Sequence, residues 1–399
     1  MDVVFVSPAS SITLAMEVVI GAIVGIKRWQ KKHKAKTTPG LSVGWNRSIR
    51  AAAMLATVIS LAGAGSAEEQ ATLRQRLKVS PFKIAYECYV DGNWEIFVAN
   101  ADGSNAVNLT NTPKENEHYP QISPDGKKIC FLADAGEGHS TIRSLHLMDI
   151  DGRNRRKIGD YIREPCWSPD SNVIAYTPQL YPKFNATDGY SDGMVYYDLR
   201  NGKTEPHPNS GKLHQTYNPS FAPNGKWIAT TVHAGMDIGH AIILIEAHGN
   251  RIVKLDIPGC RPCLSPDCKQ IAWGADDHEL AVAPLDLDSN NPTIGPWRLR
   301  IKDSRNKVYH VDWSPDGRFL AFSRGPEGRG DVSKPGTYAL ANEMIGVYAD
   351  GWNIYVVSAE RSGTIDLNKA GDDEVARLTT NGASNKEPAW FWPNRPAKE

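Results

Sequence analysis

The sequence predicts an all-β fold, a six-bladed β-propeller closed by pairing of its N- and C-terminal strands. Three observations predict it. One phrase recurs five times in full and once truncated, each copy is followed by further short apolar segments, and the chain starts one strand out of phase. The full copies are YPQISPDGKKICFL (119–132), EPCWSPDSNVIAYT (164–177), NPSFAPNGKWIATT (218–231), RPCLSPDCKQIAWG (261–274) and HVDWSPDGRFLAFS (310–323), and EPAWFWP (387–393) is the truncated one. Each full copy reads as two strands joined by a tight turn, because Pro presets φ while Asp and Gly tolerate turn geometry.

A third strand follows in each copy: SLHLMD (144–149), MVYYD (194–198), AIILIE (241–246), LAVAPL (280–285) and NIYVVS (353–358). Outer strands come next: NRRKIG, KTEPHP, RIVKLD, WRLRIK and EVARLTT. Four short antiparallel strands per repeat is the pattern of a propeller blade. The first segments, KIAYE (83–87), EIFVA (95–99) and AVNLT (106–110), lack an innermost strand, and EPAWFWP supplies it. Residues 82–393 are therefore read as one domain, with 68–81 as a linker and 394–399 as a tail.

These phased copies resemble the SPDG-type, WD40-like repeats of the TolB propeller family, over nearly all of 82–393. The resemblance implies a periplasmic protein that docks an envelope protein or peptide. TolB proteins carry a further α/β domain before the propeller, whereas about 14 residues separate the expected cleavage site from the first strand here. The resemblance therefore covers the propeller part only.

Lys+Arg and Asp+Glu total 45 each, but residues 1–67 hold eight basic residues against Asp2 and Glu17, which leaves 37 against 43 in the rest. An acidic body argues against a nucleic-acid binder, whose affinity comes largely from basic residues on phosphates. Arg47 and Arg50 precede the small, apolar run AAAMLATVISLAGAGSA (51–67), and Glu68 follows it. That is the anatomy of a signal peptide within 43–67, cut after about Ala67, with a retained signal anchor as the alternative. Residues 9–26 are also apolar and precede a basic run, so 1–42 is either a first membrane segment or an upstream misassigned start. Both readings put the body outside the cytoplasm, with membrane contact only through the N-terminal segment.

The residue opening each repeat phrase recurs once per blade. Tyr119, Glu164, Asn218, Arg261, His310 and Glu387 are expected to form a ring around one channel mouth and to bind the ligand. Arg261, a permanently charged fork, is expected to take a carboxylate of the partner. The long loops 178–193 and 324–352 are expected on the same face, with Tyr181, Phe184, Tyr190, Tyr338 and Tyr348 as candidate anchors.

Other signals are weaker. Gly189–Gly193 matches G-x-S-x-G but lacks the strand-to-helix turn that a nucleophile elbow needs. Asp286-x-Asp288-x-Asn290 lacks the Gly and Glu of an EF-hand. His214, His233, His240 and His248 share a blade without metal-ligand spacing, and the Gln-x-x-His-x-His motif of oligogalacturonate lyases is absent. Six Cys permit disulfides in an exported chain. The expectation is a monomeric, cofactor-free, non-catalytic interaction module, with no catalytic residue and no metal. The alternative is a carbohydrate lyase or hydrolase using Glu164, Glu387 and His310.

Overall fold

The computed structural model describes residues 71–136, 140–179, 191–289, 291–327 and 345–393. The sequence expectations for 1–70, the loop aromatics Tyr181, Phe184, Tyr190 and Tyr338, the first two residues of the G-x-S-x-G stretch and the tail 394–399 lie outside them.

The described chain is a six-bladed β-propeller. Blade 1 pairs the C-terminal strand Ser384–Phe391 with Lys83–Val90, followed by Asn93–Asn100 and Val107–Asn108. Blade 2 is Asn116–Ile122, Lys128–Ala135, Ile142–Asp149 and Arg156–Asp160. Blade 3 is Ile162–Trp167, Val173–Pro178, Val195–Asp198 and Lys203–Pro206. Blade 4 is Thr216–Phe221, Trp227–His233, His240–Glu246 and Ile252–Lys254. Blade 5 is Cys260–Leu264, Gln270–Asp276, Glu279–Asp286 and Leu299–Lys302. Blade 6 is Asn306–Trp313, Phe319–Pro326, Asn353–Ser358 and Val375–Arg377. One departure is a strand from the third-to-fourth connection of blade 6, Gly363–Asp366, which adds in parallel to the outer strand of blade 5.

The recurring Ser-Pro-Asp turn is built by its side chains. In blade 2 the Ser123 hydroxyl donates to Asp125 at 2.6 Å and accepts from the Lys128 N–H at 2.9 Å. Ser168, Ser265 and Ser314 make the same pair of bonds in blades 3, 5 and 6. Blade 4 has Ala222 in place of the serine, and the backbone bond from Gly225 to Ala222 at 2.8 Å still closes the turn.

The core is a set of apolar layers between adjacent blades. The segment expected as a linker contains a helix, Leu73–Lys78, with Thr72 and Gln75 forming a capping box. Leu73 and Leu77 are buried in the layer between blades 6 and 1, beside Phe319, Ile354 and Leu378. Arg76 reaches Glu360 at 2.6 Å and lies over the Phe319 ring. Blade closure and this helix therefore meet at one seam. All six cysteines are among the described residues and none forms a disulfide, and Cys130 is fully buried.

Candidate functional site

Each inner strand carries a bulge at the repeat phrase. The pairing register slips between His118 and Gln121, Arg163 and Cys166, Tyr217 and Ser220, Cys260 and Cys263, and Tyr309 and Asp312. Blade 1 slips likewise opposite Lys386 and Ala389. The extra residue is in every case a member of the expected ring, and all six have positive φ: Tyr119 52°, Glu164 33°, Asn218 49°, Arg261 55°, His310 59° and Glu387 51°. This left-handed region costs a non-glycine residue roughly 1–2 kcal/mol, and a bulge re-aims the side chain it displaces.

A bulge also takes its own N–H out of the ladder, and a buried N–H needs a new acceptor. The preceding blade supplies it. Glu87 accepts from Tyr119 N at 3.0 Å, Glu164 from Asn218 N at 2.9 Å, the Thr231 hydroxyl from Arg261 N at 2.8 Å and the Ser323 hydroxyl from Glu387 N at 3.1 Å. The ring is thus stitched blade to blade.

The structure corrects the expected position of this ring. Tyr119, Glu164, Asn218, His310 and Glu387 are buried inside the strands, and only Arg261 is half-buried, so they do not form a solvated rim. Five of them form the floor of a cavity of about 350 Å³ on the channel axis. Glu164 does not line it, because its carboxylate is occupied by Asn218 N and by Arg163 at 3.0 Å. The cavity opens towards the Ser-Pro-Asp turns, with Pro124, Pro169, Pro223, Pro266, Pro315 and Trp392 at its rim. Between floor and rim lies a wall that the sequence reasoning passed over: Gln121, Cys166, Ser220, Cys263 and Asp312. The signal for it was available two residues along each repeat phrase, where blade 1 has Ala389 and only blade 6 has a charge.

The opposite end of the channel is covered by residues 345–349, from the second long loop. Ile345 packs in the cluster of Tyr119, Val347 O accepts from Lys386 Nζ at 2.9 Å, and Ala349 packs with Tyr309 and Trp352. Of the loop anchors expected from sequence, Tyr348 is described, and it packs on Tyr89 with ring centres 4.3 Å apart. Under this strap sits a buried ionic cluster. Arg143 grips Asp134 with two bonds of 2.8 and 2.7 Å, His118 lies 3.7 Å from both Asp134 and Glu87, and Lys386 is 3.6 Å from Glu87. Burial pushes the Glu87 carboxyl up to about 7 although Lys386 opposes it. Burial pushes the His118 imidazole down to about 3, with Asp134 opposing and Arg143 assisting.

On the floor, His310 Nε2 is 2.9 Å from Glu387 Oε1, and the Arg261 guanidinium lies 4.9 Å from the Tyr309 ring centre. Burial raises Glu387 to about 7, while Arg261 pulls it down. In the wall, burial raises Asp312 to about 6, with the Trp390 N–H opposing. The Cys263 thiol is pushed well up by burial and by Asp312, so it is not a thiolate nucleophile.

Other candidates resolve differently. The Ser191 hydroxyl is buried and donates to Thr216 O at 2.8 Å, so it cannot serve as the nucleophile of the G-x-S-x-G stretch. Among the described residues no three His, Cys, Asp or Glu side chains are grouped to hold a metal ion. His233 and His240 stack with ring centres 4.9 Å apart, and His214 pairs with Asp192 instead. No described helix is long and apolar enough to cross a membrane.

No family model matches the chain, and no curated protein matches it. Solved structures do resemble it. TolB from Acinetobacter baumannii is 17% identical with a TM-score of 0.51, the match covering 77% of this chain and 66% of that one. This chain therefore spans just under two thirds of that protein, and the likeness is one of fold. A protein of Agrobacterium tumefaciens named as a TolB is 15% identical with a TM-score of 0.46, covering 78% of this chain and 99% of that one. An oligogalacturonate lyase in complex with manganese is 12% identical with a TM-score of 0.45, covering 70% and 72%.

Proposed function

We propose that this protein is an exported, monomeric β-propeller that works outside the cytoplasm as a non-catalytic binding module for an envelope protein or peptide. The observation that carries the reading is the axial funnel. It is closed by the strap at one end, open at the other, and lined by rigid proline and tryptophan at the rim and polar groups below. Such a concave site, with polar and apolar surface in about equal measure, suits a segment of chain. Arg261 on the floor offers donors to a partner carboxylate, and the N-terminal sequence supports export.

A second reading, a lyase or hydrolase, is favoured by the His310–Glu387 pair and the raised Glu387 carboxyl. It is weakened by Glu164, whose carboxylate faces a bulge N–H and Arg163 rather than the cavity.

The test is site-specific photo-crosslinking in the native envelope from Gln121 in the funnel wall, with Lys203 on an outer strand as control. A discrete adduct from position 121 alone, weakened by Arg261→Ala by about 1.5–3 kcal/mol, the range for a hydrogen bond to a charged group, supports the module. Adducts of equal yield from both positions, or none, reject it. The same cells report export, because an N-terminus at Glu68 is expected on the mature chain.

A further inference from the structure

The funnel wall holds a charge that the fold does not require. At the same place in the repeats of blades 4 and 6, Ser220 and Asp312 do the same structural work. The Ser220 hydroxyl accepts from Leu264 N of the next blade at 3.2 Å, and Asp312 Oδ2 accepts from Trp390 N of the next blade at 2.6 Å. A neutral hydroxyl suffices for that bond in blade 4, yet blade 6 has a carboxylate.

Asp312 has no ion pair among the described residues. Its other oxygen accepts from the Cys263 thiol at 3.2 Å, a weak neutral donor. Asp312 is half-buried; drawing a carboxylate out of much of its water without a cation is costly, and its pKa is raised accordingly. The one other acid lining the cavity, Glu387, has a cationic neighbour in Arg261. Aromatic side chains share the cavity with it, and Trp390 bonds to it directly. Trp167, Trp313, Trp390 and Trp392 all line the cavity, and the Trp313 and Trp167 indole N–H groups are occupied by Cys263 O and Gln121 O. An unpaired carboxylate beside aromatic rings is a receptor for an organic cation.

We propose that Asp312 is the anchor for a cationic group of the ligand, an alkylammonium or guanidinium carried into the funnel on the partner. The inference rests on the reading of the funnel as the binding site. It adds that the ligand presents a positive charge to the wall, in addition to whatever meets Arg261 on the floor. The pairing would remove the cost of the unpaired carboxylate, and Trp392 at the rim would cover the aliphatic stem.

The experiment titrates the full chain with four small probes, followed by nuclear magnetic resonance of the indole N–H signals. N-acetyl-lysine amide and N-acetyl-arginine amide carry side-chain cations, alaninamide carries a main-chain ammonium, and N-acetyl-norleucine amide has no charge. The lysine or arginine probe is expected to bind at least about tenfold more tightly than norleucine, the lower end for a charge-assisted bond. Stronger binding of alaninamide would make the cation a chain N-terminus rather than a side chain. Asp312→Asn and Asp312→Ser, the latter copying blade 4, are expected to remove the preference while melting at or above the wild-type temperature at neutral pH, because each removes the unpaired charge. Equal binding of norleucine, no binding of any cation, or an undiminished preference in both variants overturns the inference. If the Gln121 crosslink survives those results, the funnel is still a binding site and only its cation preference is wrong. If the crosslink is absent while the cation preference holds, the partner reading fails and the subsite stands.

Discussion

Glu164 provides a sharp test of whether the ring is stitched together as described. Glu164→Ala removes the acceptor for Asn218 N, 2.9 Å away, and the carboxylate that meets Arg163 at 3.0 Å. Both side chains are 3% exposed, so water cannot replace the lost partner without rearrangement. A buried N–H left unsatisfied costs roughly 1–3 kcal/mol, and removing one partner of a buried ion pair costs about 3–5 kcal/mol. The two losses share one carboxylate and do not add, so the expected total is about 3–5 kcal/mol. Glu164→Gln keeps an acceptor for the N–H and removes only the charge, so it should fall between Ala and wild type. Equilibrium urea unfolding, followed by tryptophan emission, measures both. A Glu164→Ala protein within about 0.5 kcal/mol of wild type, the usual range of a surface change, would refute the stitching. It would also return Glu164 to the list of ligand-binding candidates.

Three further outcomes are expected. Deleting 387–399 removes most of the inner strand of blade 1 and exposes an unpaired edge, so aggregation or loss of a cooperative melt should follow in calorimetry. Gly346→Ala places a methyl 3.0 Å from Arg143 Nη2 at a φ of +77°, and should destabilise by about 1–3 kcal/mol in the same urea assay; an unchanged midpoint would mean that the strap does not sit on the ionic cluster. Burial raises the Glu387 carboxyl from its ordinary 4.5 to about 7, so its contribution is complete below 4.5 and lost as pH rises through 7. Glu387→Gln should therefore be most damaging near pH 4.5 and least damaging above pH 7, and the opposite trend in urea unfolding at the two pH values counts against a buried Glu387.

The blades were legible because each repeat phrase encodes both a turn and a strand. The Ser-Pro-Asp serine and aspartate bond to one another, so the motif is local and its geometry follows from neighbours in sequence. The closing strand was legible from the phase of the repeats alone. The depth of the ring was not, because it depends on a register slip, and a bulge is set by pairing with the adjacent strand. Pro after the ring residue hinted at an interrupted ladder, but blade 6 has Val311 there and bulges all the same. Asp312 stands within its repeat phrase like its counterparts, and its isolation is visible only in the folded blades, where no cation lies beside it. Helix Leu73–Lys78 was missed because its apolar content is just Leu73 and Leu77, too little for a periodic signal.

The shared seam also dictates an order of assembly. Lys83, among the earliest described residues to be synthesised, pairs with Phe391, among the last. Blades 2 to 5 each draw their four main strands from one continuous stretch of chain and can condense as they emerge. The strands of blade 1 must wait for the final segment, and Leu73 and Leu77 must wait for blade 6. Such long-range contacts slow folding and prolong the life of an exposed edge. The nascent chain is thus most exposed at its oldest part until the last strand arrives.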